Sequence, residues 1–335
     1  MEVRSDEPRN PIMSKPLTDT RVIDLSRLLP GPLASLILCD LGAEVISVDS
    51  THNPDYMHTI PPLCDDGVSL FFHALQRGKT RVSIDLRSEE GKASLRELLQ
   101  TADVLLESYR PGVLATLGFS DGTLRTEFPS LIVCHLSGYG QEGDKAKVAG
   151  HDLNFVAESG LLGLFDKPGV LPFPVADIGA GTFGAVIQIL AALLKKKASQ
   201  KGTIIDHNIT AFCAALAIPQ WVGSDAAYVL SGHEPQYSVY ETSDGHVAVA
   251  ALESKFWKVL VGHLGLPENA SHEQLQSILI TKTTAAWECE LGALNICVSP
   301  VRKFGDAAAL ATRPKGVTVD GVTMSGKLVE LPRLF

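Results

Sequence analysis

Two acids and one imidazole stand where the sequence signals the start of helices. Gly150-His151-Asp152 precedes a helix-like apolar run (Leu153, Phe155, Val156, Leu161). Asp177-Ile178-Gly179-Ala180-Gly181 precedes an apolar stretch beginning at Phe183. An acid in such a position accepts an orphan backbone N–H and is favoured by the positive end of the helix dipole. The same N–H groups could stabilise an oxyanion, and the dipole is expected to keep Asp177 ionised as a base or nucleophile. Gly150 and the glycines after Asp177 would let a ligand come close to the backbone. His151 alone reads as a structural histidine; as part of this pair of helix starts it becomes a candidate general acid/base. Helix capping and catalysis both fit these residues at this point.

Basic residues gather in Gln76-Arg77-Gly78-Lys79-Thr80-Arg81 and at Arg110 in Ser108-Tyr109-Arg110-Pro111-Gly112. They are candidate anion contacts, because guanidinium pairs with phosphate in a fork geometry, and they read equally well as solvated surface. Gly179-Ala-Gly181-Thr-Phe-Gly184 matches G-x-G-x-x-G, with Asp206 further on. The dinucleotide fingerprint needs a clean strand before its glycines, and Pro172 and Pro174 spoil one here, so NAD binding is rejected. Neither G-x-S-x-G nor a P-loop occurs, and no His or Cys spacing suggests a metal. Cys39, Cys64, Cys134, Cys213, Cys289 and Cys297 lie far apart without a CxxC pair. They read as packed or idle thiols of a reducing compartment.

The elements that must carry these residues are those of an α/β protein. Arg21 to Asp49 reads strand, helix, strand, with a turn at Pro30-Gly31-Pro32, Pro32 at the first helical position and Gly42 ending the helix. Further strands are expected at Arg81–Leu86, Val104–Glu107 and Leu131–Leu136, with a helix over Glu89–Thr101. This alternation predicts a mostly parallel sheet with helices on its faces. Ser243-Asp244-Gly245 between two alternating runs signals a hairpin, followed by a helix over Lys255–Leu264. The expected organisation is a loose arm over 1–18, a large Rossmann-like domain over 19–227, a small α+β domain over 228–312, and a tail over 313–335 that returns toward the large domain and is expected to be cut short.

The chain has 335 residues, which favours two domains, and 29 Lys and Arg against 38 Asp and Glu, a net charge of -9. That balance argues against a nucleic-acid partner. The first 17 residues lack the apolar core of a signal peptide. No apolar run is read as the roughly eighteen residues of a membrane span, and Phe183–Leu194 is read as a buried helix. A cytoplasmic protein is expected, with mitochondrion and peroxisome left open.

Several ordered segments resemble the family III CoA-transferase (CaiB/BaiF-type) superfamily. They are RVIDLSRLLPGPLASLILCDLGAEVISVD, RGKTRVSIDLRSEEG, ADVLLESYRPGVLATLGF, LIVCHLSGYGQEG, AGHDLNF, Asp177 before a glycine turn, and KGTIIDHNI. The resemblance runs from about residue 19 to the end. Within the superfamily, AGHDLNF together with Asp177 is similar to the α-methylacyl-CoA racemases. The resemblance implies epimerisation of 2-methyl-branched acyl-CoA thioesters. His151, supported by Glu253, and Asp177 would exchange the α-proton on opposite faces, and the backbone N–H of Asp152 would hold the enolate oxygen. It further implies CoA contacts at Arg77, Lys79, Arg110 and Gly150, an interlocked homodimer, and Tyr237 and Tyr240 lining the partner's acyl pocket. No cofactor beyond the CoA of the substrate is implied, and no metal. Departures from the pattern include Ser50 after Asp49 where relatives often carry Arg, Phe155 in place of a Tyr, a glycine turn that reads DIGAG, and Leu331-Pro332-Arg333-Leu334-Phe335, past which relatives are expected to extend. Two alternatives accompany the racemase: a CoA-transferase with Asp177 as covalent nucleophile, and a non-catalytic CoA-binding homologue.

Overall fold

The computed structural model describes residues 15–52, 54–223 and 229–303, with the backbone of two short paired strands at 318–319 and 322–323. Apart from that pair, the tail expected at 313–335 lies outside the described residues, as do residues 1–14 of the expected arm. The chain divides into two units, the second running from Ala217 to Thr312.

The first unit is built from β1 (Arg21–Leu25), α1 (Pro30–Asp40), β2 (Glu44–Ser50), α2 (Leu70–Gln76), β3 (Thr80–Ile84), α3 (Glu89–Gln100), β4 (Val104–Glu107), α4 (Val113–Thr116), α5 (Asp121–Glu127), β5 (Ile132–Ser137), α6 (Asp152–Glu158), α7 (Gly184–Ser199), β6 (Ile204–Asn208) and α8 (Ile209–Ala215). The strands form one parallel sheet in the order β3-β2-β1-β4-β5-β6. This is the doubly wound order, and its reversal point lies between β1 and β4.

Both faces of the sheet's centre are covered, so β1, β4 and β5 are buried along nearly their whole length, whereas the edge strand β3 is largely exposed. Val22, Val45, Val104 and Ile132 share a layer with Leu36 and Leu38 of α1 and Ile189 of α7. Ile23, Ile46, Leu105 and Val133 point the other way, onto Leu95 and Leu99 of α3 and Leu124 of α5. Each such side chain, fully buried, contributes roughly 1.5–3 kcal/mol.

Several local expectations are corrected. The first helix starts at Pro30, two residues before the expected Pro32; all four leading N–H groups of a helix lack intrahelical partners, so either proline is tolerated. Leu17, expected in the loose arm, is buried, and its N–H donates to Leu41 O at 3.1 Å. The apolar helix is longer than expected: a helical run over Ala176–Ser199 is, by length and composition, long enough to cross a membrane. Its Ala185, Val186, Ile189 and Ala192 are buried within the first layer, the behaviour of a core helix.

In the second unit, β7 (Tyr237–Glu241), β8 (His246–Ala250) and β9 (Val298–Pro300) form an antiparallel sheet, with the hairpin where Asp244-Gly245 signals it. Helices over Ser254–His263, His272–Leu279 and Thr284–Gly292 accompany it, and Trp257 and Trp287 fill the core between them.

Candidate active site

The loops leaving β1, β4 and β5 at their carboxyl ends border a cleft of about 440 Å³ in the first unit, at the sheet's reversal point. Arg27 and Leu28 line it from the first loop, Ser108 to Pro111 from the second, and Ser137 to Tyr139 from the third. The first two loops are tied together, since the Arg27 N–H donates to Ser108 Oγ at 2.9 Å. Leu28 adopts a left-handed backbone (φ 67°), and its N–H donates to buried Asp55 at 2.6 Å. A bulky residue in that region is a genuine outlier, and such strain persists only where surrounding contacts impose it.

His151 and Asp177 both line this cleft. His151 is the N-cap of α6, in extended conformation and exposed, and its backbone N–H donates to Asn154 Oδ1 at 3.1 Å. Gly150 lines the cleft beside it, although its missing side chain leaves room for protein rather than ligand. A Cβ there would lie 2.7 Å from the ring of Phe155 and 3.0 Å from the Tyr139 hydroxyl. Phe155 stacks edge-on against Tyr139 at 5.4 Å, so at this position a ring without a hydroxyl serves packing.

Asp177 does not cap a helix, as one of the two expectations had it. It is the second residue of a π-helical turn, Ala176–Phe183, that runs directly into α7. Several contacts hold this wide turn. Thr182 Oγ donates to Pro30 O at 2.9 Å, and the fully buried His207 sets Nε2 3.0 Å from Ala180 O. Burial keeps the His207 imidazole below its usual pKa, so it is neutral and donates. Gly184 makes room for that ring, since a Cβ there would lie 2.6 Å from it.

The helix dipole was expected to keep Asp177 ionised. Instead, burial, reinforced by the charge of Asp152, pushes its carboxyl up to about 7. Asp152 is the first residue of α6, and its carboxylate accepts the Asp177 backbone N–H at 2.9 Å. Around neutrality Asp177 therefore populates both protonation states, as a group that takes and returns a proton requires.

The expected CoA contacts fare unequally. Arg110 is exposed and lines the cleft. Arg77 is engaged elsewhere, in a bidentate pair with Asp40 at 2.8 and 2.7 Å. Lys79 is not a surface cation: its ammonium is fully buried and donates to Pro32 O at 2.8 Å and Ser35 Oγ at 2.7 Å, with Asp24 at 3.5 Å. The strand β3 that follows it draws the side chain under α1.

Sequence reasoning missed Arg27. Its guanidinium donates to Pro54 O at 2.9 Å, while its Nε lies buried without a partner beside the cleft. The only sequence signal was its place in the turn after β1.

A second, smaller cleft of about 190 Å³ shares Arg110 and is lined by Glu107, His135 and Asp121. His135 Nδ1 lies 2.5 Å from Glu107 and Nε2 2.9 Å from Asp121. Burial disfavours the imidazolium, but these two carboxylates outweigh it and raise its pKa. The other Glu107 oxygen accepts the Tyr109 N–H at 2.8 Å, which anchors the loop carrying Arg110.

Tyr237, Tyr240 and Glu253 belong to the second unit. Tyr240 is core, not pocket lining: it is buried, and its hydroxyl donates to Pro235 O at 2.8 Å. Tyr237 is half-buried on β7, and Glu253 is exposed at the start of the helix Ser254–His263.

The chain belongs to CoA-transferase family III, which it matches over residues 17–330. It is 33% identical to the mouse protein named alpha-methylacyl-CoA racemase over 316 residues, 87% of this chain and 79% of that protein. It is also 33% identical to a succinate–glutarate CoA-transferase of Agrobacterium fabrum over 285 residues, 79% of this chain and 70% of that one. A crystal structure of a CaiB/BaiF family protein from Brucella suis superposes with a TM-score of 0.77 at 25% identity, covering 95% of this chain and 97% of the other.

Proposed function

We propose that this protein epimerises 2-methyl-branched acyl-CoA thioesters by a two-base proton transfer. The observation that carries this reading is that His151 and Asp177, from two separate helical starts, line one cleft, where burial pushes the Asp177 carboxyl up to about 7. One group takes the α-proton, and the C–H electron pair moves into the thioester carbonyl as an enolate. The other group then delivers a proton to the opposite face. The backbone N–H of Asp152 is among the helix-start donors that the i→i−4 ladder cannot satisfy, and it is our candidate for holding the enolate oxygen. Arg110 and Arg27 are the cations suited to the CoA phosphates. No resident cofactor is needed for these steps, since the CoA is part of the substrate.

We also propose that two copies associate. Phe183, Ile187 and Leu194 leave an apolar stripe on α7 and its leading turn, 40%, 63% and 69% exposed, and a second copy of this chain is the occupant the family resemblance suggests. In such a dimer the interlocked arrangement would bring Tyr237 and Glu253 of one chain toward the cleft of the other. A fatty-acid metabolic role and a cytoplasmic setting follow from the same reading.

The transferase alternative draws on the similarity to the Agrobacterium enzyme, but a carboxyl that is half protonated at neutral pH is a weak nucleophile. Incubation of a 2-methylacyl-CoA in heavy water, followed by NMR of the α-proton, tests the proposal. Exchange with stereochemical scrambling is expected. Transfer of CoA to an added carboxylate without exchange would establish the transferase instead, and CoA binding with neither reaction would leave a non-catalytic homologue.

A further inference from the structure

The segment between the single helical turn at Tyr56–Thr59 and α2 folds into a small hairpin outside the cleft described above. Leu63 and Ser69 bridge antiparallel, the Cys64 N–H donates to Val68 O at 2.8 Å, and the Gly67 N–H donates to Cys64 O at 2.9 Å. Gly67 supplies the positive φ (78°) that the turn requires. The Leu70 N–H then donates to Pro62 O at 2.9 Å, closing the base onto α2. This hairpin brings Cys64, Asp66 and His73 together: one ligand atom from each lies within 4.8 Å of the other two.

We infer that Cys64, Asp66 and His73 form a binding site for a divalent cation of the zinc class. A thiolate, an imidazole and a carboxylate are a ligand set that zinc accepts. Zn–S of about 2.3 Å and Zn–N and Zn–O of about 2.0–2.2 Å place tetrahedral ligand atoms roughly 3.3–3.6 Å apart. Asp66 and His73, with an oxygen and a ring nitrogen 2.9 Å apart, are already inside that spacing, so Cys64 is the side chain that has to close, by at most about 1.5 Å.

The supporting contacts are already made. One Asp66 oxygen accepts the Val68 N–H at 2.9 Å, which orients the carboxylate and leaves the other oxygen, 2.9 Å from His73 Nε2, to face the ion. His73 is buried and fixed on α2, its N–H donating to Ser69 O at 3.0 Å, whereas Cys64 is half-buried and Asp66 exposed. Solvent therefore reaches the site and can complete the coordination.

Binding replaces the Asp66–His73 hydrogen bond. The ring proton moves to Nδ1, Nε2 donates its lone pair to the metal, and the Cys64 thiol proton is released to solvent. The spacing Cys-x-Asp-x6-His matches no common zinc signature, so nothing in the order of residues pointed to a metal.

The inference is independent of the proposed racemase activity, and its test does not use catalysis. The full chain, freed of metal with a chelator, is titrated with Co²⁺ and then with Zn²⁺. One equivalent of Co²⁺ should give a sulfur-to-cobalt charge-transfer band that Zn²⁺ abolishes. Cys64→Ser should remove the band, His73→Gln should weaken Co²⁺ binding at least tenfold, and Cys289→Ser should leave the titration unchanged. Circular dichroism of each variant controls for folding. Absence of the band in the folded wild-type chain, or its persistence in Cys64→Ser, would overturn the inference.

Discussion

The carboxylate of Asp152 accepts the backbone N–H of Asp177 at 2.9 Å, joining the start of α6 to the π-helical turn before α7. Two segments 25 residues apart in sequence are thereby held in one register. The bond both positions Asp177 and places a negative charge beside it, so geometry and acidity are set by one residue. Asp152→Asn keeps an acceptor but removes the charge, and the limb of the kcat/KM–pH profile assigned to Asp177 should move to lower pH. Asp152→Ala removes both and should also lower kcat, by about 10²-fold if Asp177 shifts by about 1 Å. Identical pH profiles for wild type and Asp152→Asn would contradict this assignment.

The shape of the pH profile separates the two enzymatic readings. A racemase needs one proton shared between His151 and Asp177, so kcat/KM should be bell-shaped, with one limb near pH 7. A covalent transferase needs only the Asp177 carboxylate, and its rate should rise through about pH 7 and stay high.

Asp177→Asn should reduce turnover by at least about 10²–10⁴-fold and yet stabilise the protein. The folded pKa of Asp177, about 7, lies above the 3.8 usual for an aspartate side chain. Below the lower value the acid is protonated in both states and no penalty arises. Between the two values, folding demands a proton that the unfolded chain does not hold, so the penalty grows with pH and is complete above about 7. At pH 8 the variant should exceed wild type by on the order of 4 kcal/mol, each pKa unit being worth about 1.4 kcal/mol. Urea unfolding at pH 4 and pH 8 measures the gap, which should nearly vanish at the lower pH.

His135 should show the complementary dependence for a base. Its folded pKa is raised, so its contribution is fully present below the unfolded value of about 6.5 and is lost as pH rises through the folded value. Urea midpoints of wild type and His135→Gln should differ most below about pH 6.5 and converge above the folded pKa. A gap independent of pH would show that the imidazolium is not what Glu107 and Asp121 hold.

Lys79 and Arg110, adjacent in function by sequence, should separate in experiment. Lys79→Met leaves Asp24 buried without its cation and should cost about 3–5 kcal/mol of stability. Arg110→Ala should leave stability within about 0.5 kcal/mol, as exposed substitutions do, while weakening CoA binding about tenfold or more. Calorimetric titration with CoA and thermal unfolding distinguish the two. Ile187→Glu, in turn, should convert a dimer to a monomer by light scattering if the α7 stripe is the interface.

Much of the fold was legible because strands buried on both faces read as short apolar runs between turns. Val22-Ile23, Val104–Leu106 and Ile132-Val133 show this. The pair His151 and Asp177 was legible too, since an acid or imidazole at a helix start leaves a local signature. Long-range relations left none. Nothing near Lys79 announces that its ammonium lies beneath α1 against Ser35, nor that Tyr240 turns inward to Pro235. The π-helical turn was equally hidden, because its glycines read as a loop. Arg27 was overlooked because a single cation in a turn is ordinary until the strand order places that turn at the reversal point.

That wide turn separates two requirements that an ordinary helix would bind together. A π turn amounts to one residue added to an α-helix, and one residue corresponds to about 100° of rotation. The inward face of α7 can thus keep its seating on the sheet while the segment bearing Asp177 is wound to a different heading. Loss of one residue between Ile178 and Gly181 would leave Ile189 and Ala192 where they are and swing the acid away from the cleft. The reaction performed by such a scaffold can therefore be retuned by insertion or deletion at a single joint, without redesigning the interior.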